Sequence, residues 1–163
     1  MESIKTFLKT SDLDALWEDG AVVWIDHREY DEDIVRYSEK LLNTGKLSAK
    51  CIDADNELGY DLIICYDGKE MTVPFDISDV SRDTTLCTLN ALIRPDYEVR
   101  LWMDSIGGDT LAFIPLSADN WKKLESEFGK EKVLYHFPVM NENERMFRLS
   151  FDEVAKIVKE RGL

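Results

Sequence analysis

The stretch Leu62-Ile63-Ile64-Cys65-Tyr66-Asp67-Gly68-Lys69-Glu70-Met71-Thr72-Val73-Pro74-Phe75 decides the fold. Two runs of strand-favouring residues flank Asp67-Gly68, a pair suited to a type I′ turn, in which both central residues take positive φ. A two-residue turn fixes the register, so that Ile64 faces Met71 and Leu62 faces Val73. All four then point to one side, and turn chemistry and hydrophobic pattern agree.

Downstream, Leu86, Leu89, Leu92 and Ile93 give residues 84–93 the apolar face of a helix, which Arg94-Pro95 stops. Tyr97, Val99, Leu101 and Met103 alternate with Glu98, Arg100, Trp102 and Asp104, the pattern of a half-buried strand with Trp102 outward. Gly107-Gly108 turns the chain, and residues 110–115 return as its partner strand. Ser117 caps a helix whose face is Trp121, Leu124 and Phe128 and which Gly129 closes. Val133, Tyr135, Phe137 and Val139 alternate again and read as a strand, and 141–145 is a polar loop. Ser150-Phe151-Asp152-Glu153 is a capping box that starts a last helix, with Phe151, Val154, Ala155 and Val158 on one face.

Upstream, Ile4, Phe7 and Leu8 have helical spacing, as have Leu13, Leu16 and Trp17 after a capping Ser11 or Asp12. Gly20 breaks that segment, and 21–26 reads as a buried strand. Asp31-Glu32-Asp33 opens a helix with Ile34, Val35, Tyr37, Leu41 and Leu42 as its stripe, since acids favour a helix N-terminus. Residues 47–52 form a further strand. Two tight antiparallel pairs among helices predict a single α+β domain, 1–163, with a mainly antiparallel sheet and helices packed on it.

Charge is unevenly placed. The chain of 163 residues carries −13, and residues 1–80 hold 19 acidic and 8 basic side chains, hence −11. Residues 81–163 hold 14 and 12, hence −2. Such a surface repels nucleic-acid phosphates and anionic lipid, so neither is an expected partner; a basic protein is. No run reaches the roughly 20 apolar residues of a membrane span, and residues 1–10 lack the apolar core of a secretory signal. Cys51, Cys65 and Cys87 form no C-x-x-C pair, which suits a reducing cytosol. The expected location is cytoplasmic.

No catalytic motif stands out, no cofactor is expected, and the protein reads as a non-enzyme. Asp26-His27 has the residues of an acid–base pair and the setting of a surface strand end. His136 sits among Leu134, Tyr135 and Phe137 on the expected outward face. Residues 104–110 combine Ser105 with Asp and Gly, yet match neither a nucleophile elbow nor a Walker loop. Each cysteine reads as a buried hydrophobe, Cys51 being the most open on an edge strand. Outward Trp102 would be an interface anchor if no helix covered it. Asp53-x-Asp55-x-Glu57 is the sharpest carboxylate cluster. A Mg²⁺ or Ca²⁺ loop, and with it a metal-dependent hydrolase, is one reading; the glycine and glutamate of an EF-hand loop are missing. A solvated acidic loop, or one that binds a partner, is the other.

Residues 94–128 carry a resemblance. They contain Asp96-Tyr97-Glu98-Val99-Arg100, then Asp104-Ser105, then Asp109-Thr110-Leu111-Ala112-Phe113-Ile114-Pro115-Leu116, then Trp121, followed by Phe128-Gly129. This pattern, over about a fifth of the chain, resembles a segment of small bacterial immunity proteins that accompany polymorphic toxins, including those of contact-dependent growth inhibition. The resemblance implies a non-enzymatic cytosolic protein that binds one cognate toxin domain, commonly a basic nuclease, and blocks its active site. It carries no contact residues. Charge density alone selects Asp31, Glu32, Asp33, Asp53, Asp55, Glu57 and Asp61 as the toxin-binding set, to act by steering and charge-assisted hydrogen bonds. A general protein-binding module is the remaining alternative.

Overall fold

The computed structural model describes residues 1–17, 20–76, 82–141 and 145–163, so the expected loop at 141–145 lies partly outside the described residues. The hairpin forms as its turn dictates. Asp67 and Gly68 take φ of 48° and 78°. Strands β3 (Tyr60–Tyr66) and β4 (Lys69–Thr72) pair with Ile64 opposite Met71, and the Val73 amide donates to the Leu62 carbonyl at 2.8 Å. Strand β2 (Leu47–Asp53) pairs antiparallel on the other side of β3. Leu62, Ile64 and Val73 are buried, whereas Met71, on the outermost strand, is exposed.

A second antiparallel sheet has the order β1-β6-β5, with β1 at Val23–Asp26, β5 at Tyr97–Leu101 and β6 at Thr110–Ser117. The expected α+β class holds, with two three-stranded sheets among the described residues where one was anticipated. Helices α3 (Asp31–Leu42) and α4 (Arg82–Ile93) touch strands of both sheets and form the layer between them. Their Ile34, Val35, Leu86, Leu89 and Ile93 share one core with Leu62 and Ile64 from one sheet and Val99, Leu101 and Phe113 from the other. Asn90 of α4 fastens that layer: its amide donates to the Val99 carbonyl at 2.9 Å and accepts from the Val99 amide at 2.7 Å.

The far side of sheet β1-β6-β5 is covered too. Helices α1 (Glu2–Thr10), α2 (Asp14–Trp17), α5 (Ala118–Phe128) and α6 (Lys130–His136) close over it with Phe7, Leu16, Trp121, Leu124, Val133 and Phe137. The layers therefore run helices, sheet, helices, sheet. Among the described residues, no helix layer covers the outer face of β2-β3-β4.

Three expectations change. Residues 133–139 do not form a strand: α6 ends at His136, with Val133 and Phe137 buried one helical turn apart. Trp102 is not outward; it is fully buried, with Phe7, Trp17 and Trp24 rings 5.5–6.2 Å away. Alternation along β5 predicts a sheet solvated on one face, but this sheet is covered on both. Helix α7 (Phe151–Arg161) starts at the expected capping box, yet Phe151 is 85% exposed and Val154, Ile157 and Val158 are its contacts with the core.

Candidate functional site

Five of the seven selected acids gather at one end of sheet β2-β3-β4. Asp53 closes β2 opposite Tyr60, Asp61 stands opposite Ile52, and Asp55 and Glu57 lie in the connecting loop. Asn56 builds that loop. Its side chain donates to the Tyr60 carbonyl at 3.2 Å and to Asp61 Oδ1 at 2.9 Å, and accepts from the Leu58 amide at 3.0 Å. Glu32, at the start of α3, joins the group across the edge of β2, where Cys51 Sγ donates to its Oε2 at 3.0 Å. Burial first, then that bond to a carboxylate, pushes the Cys51 thiol up to about 11, so it is a poor nucleophile at neutral pH.

The other two acids are committed to the fold. Asp31 accepts from Thr85 Oγ1 at 2.6 Å and faces Arg82 Nη1 at 3.5 Å. Asp33 pairs with Arg36 at 2.7 Å within α3. Asp53, Asp55 and Glu57 are exposed and form no ion pair among the described residues. A shallow cavity of about 360 Å³ adjoins them, walled by Leu58, Tyr60, Val73 and Phe75. Asp53, Asp55 and Glu57 do not converge: no group of three or more His, Cys, Asp or Glu suited to a metal ion occurs among the described residues.

The sequence-flagged histidines separate. His27 is exposed with its ring edge-on to Phe147, and Asp26 pairs with Arg28 instead. The hydrogen bonds from Arg28 hold the Asp26 carboxyl down at about 2. His136 is not on an outward strand face. Its Nδ1 lies 2.6 Å from Asp104 Oδ2, and Arg161 of α7 donates to Oδ1 of the same carboxylate at 2.9 Å. Arg161 also lies 4.0 Å over the Tyr135 ring. The Asp104 side chain is 6% exposed. Burial pushes its carboxyl up, but the bonds from His136 and Arg161 outweigh this and hold it below the usual carboxylate range. Neighbouring Ser105 is bonded to the backbone, donating to the Trp102 carbonyl and accepting from the Ala112 amide. The cluster is a clasp that joins α6, α7 and the turn after β5. Residues 104, 136 and 161 lie too far apart in sequence for a spacing rule to reveal it.

Arg100 is likewise marked by no sequence motif. It is 6% exposed, bonded to Glu98 and Glu125, and lies 4.4 Å over Trp121. No helix among the described residues is long and apolar enough to cross a membrane. No family model, no curated protein and no solved structure matches the chain.

Proposed function

We propose that this chain is an immunity protein of the bacterial cytosol. It binds a cognate, basic toxin domain, a nuclease by the sign of the charge it would carry, and prevents its action by occlusion. The observation that carries this reading is the set of exposed carboxylates at one end of a sheet, Glu32, Asp53, Asp55 and Glu57, without cationic partners among the described residues. An end of a sheet that presents several exposed carboxylates without counter-charges attracts a basic partner. The field of such a surface also accelerates capture, toward about 10⁸–10⁹ M⁻¹s⁻¹ at low salt, which suits a protein that must reach its target before damage is done. The pattern in residues 94–128 that resembles immunity proteins agrees with it.

The test is co-expression with the toxin domain encoded beside this gene. Growth restored by the chain, and a complex that weakens as salt rises, is the expected result. Growth arrest in its presence, with both proteins soluble, would remove the proposal. A gene with no toxin neighbour would favour the general binding module.

A further inference from the structure

Sheet β2-β3-β4 has an inner face in the core and an outer face without a helix layer. Strand alternation puts Ile52, Ile63 and Cys65 on the outer face, with Lys50, Asp61 and Glu70 around them. A solvated antiparallel face ordinarily reads polar along its outward positions. Here apolar groups interrupt it: Ile52, next to last in edge strand β2, is 43% exposed, and Ile63 and Cys65 of central strand β3 are part-exposed. Lys50 stands opposite Ile63 and Glu70 opposite Cys65, and the two charges pair with each other at 2.8 Å across the sheet. Their mutual neutralisation leaves a centre of low net charge. Asp61 stands opposite Ile52 at one end of this face, and the loop that carries Asp55 and Glu57 joins β2 to β3 at that end, whereas Asp53, opposite Tyr60, is in phase with the inner face. An apolar centre inside a charged border is the anatomy of a protein interface.

We infer that this outer face, with the loop 54–59, is where the basic partner of the proposed function docks, Ile52 and Ile63 being its apolar anchors. The inference rests on that function. Charge selects the occupant. A second copy would bring another −13 to an acidic border and be repelled, whereas a basic domain with an apolar patch is attracted. Size recruits the loop. Three strands at about 4.8 Å spacing and seven residues at about 3.4 Å span roughly 14 by 24 Å, less than half of the about 800 Å² that a specific interface takes from each partner. The acidic loop supplies adjoining area, so steering and anchoring are adjacent parts of one surface.

The probe is the toxin domain encoded beside the gene, in a catalytically inactive form, titrated against the full chain. Ile52→Glu separates the anchor from bulk charge, since it adds a negative charge while removing the most exposed apolar group of the face. The expected result is at least a 30-fold weaker Kd for Ile52→Glu and less than a 3-fold change for Asp119→Lys, an exposed site on α5. Circular dichroism checks that each variant is folded. In the wild-type complex, Cys65 should alkylate at least 10-fold more slowly than in the free protein, a readout that needs no variant. Binding of the wild type with Ile52→Glu unaffected and Cys65 unprotected would overturn the docking face and leave the proposed function standing. Failure of the wild type to bind the domain would overturn both.

Discussion

Asp104→Asn should be among the most damaging single changes in this protein. The carboxylate is 6% exposed and serves two cationic or potentially cationic groups, His136 and Arg161. An amide of the same size keeps the volume and removes the charge. The Arg161 side chain, only 9% exposed and with a buried Nε that has no hydrogen-bond partner among the described residues, then loses its carboxylate counter-charge. Breaking a buried pair in this way costs about 3–5 kcal/mol. For a domain of this size each kcal/mol lowers Tm by about 2–4 °C, so a fall of roughly 6–20 °C is expected. Thermal and urea unfolding, followed by circular dichroism and tryptophan fluorescence, measure it. Asp119→Asn, whose pair with Lys122 is exposed, should move Tm by less than about 2 °C. Asp104→Asn combined with Arg161→Met should be less damaging than the sum of the two single changes, by at least about 1 kcal/mol. A Tm within about 2 °C of wild type, or additive losses, would refute the clasp.

The clasp also sets an acid limit. The folded carboxyl of Asp104 lies below its unfolded value, so its contribution is complete above the unfolded value and is lost as pH falls through the depressed folded one. The stability gap between wild type and Asp104→Asn should therefore hold above about pH 5 and shrink as pH falls from there through the usual carboxylate value and below it; a constant gap would contradict the assignment. Asn90→Leu strips the Val99 amide and carbonyl of their side-chain partners, at about 1–3 kcal/mol for each group left unpaired, readable as a lower urea midpoint. Gly68→Val should cost about 1–2 kcal/mol through φ alone, because a Cβ there would meet nothing within 4 Å. Reversing Asp53, Asp55 and Glu57 to lysine should slow capture of the toxin domain at least 10-fold and flatten its salt dependence in stopped-flow measurements; an unchanged rate would show that these acids do not steer.

What the sequence made legible was local. Asp67-Gly68 fixed its own register because a two-residue turn leaves little choice. The Ser150 capping box began α7 because its two hydrogen bonds lie within four residues. Trp102 failed because its environment is set by α1 and α2, remote in sequence, and alternation along β5 does not record what covers a sheet. A signal was available: Leu111-Ala112-Phe113-Ile114 is an unbroken apolar run, the mark of a strand buried on both faces. Residues 133–139 satisfied both periods. The i,i+4 pair Val133 and Phe137, after helix-forming Lys130-Glu131-Lys132, could have tipped the reading to helix. For the acids, sequence located the charge but not its commitments. Nothing adjacent to Asp31 shows that Thr85 and Arg82 use its carboxylate, which like that of Asp33 beside Arg36 already has a partner within the fold.

The pairing of β1 with β6 has a consequence for synthesis. Val23 hydrogen-bonds in register with Phe113, which the ribosome adds 90 residues later. At about 5–20 residues per second, the apolar run Val22-Val23-Trp24-Ile25 waits roughly 5–18 s for its partner strand. The strands β2, β3 and β4 need no such wait, since they follow one another directly in the chain. The nascent chain thus carries an unpaired apolar strand through much of its translation.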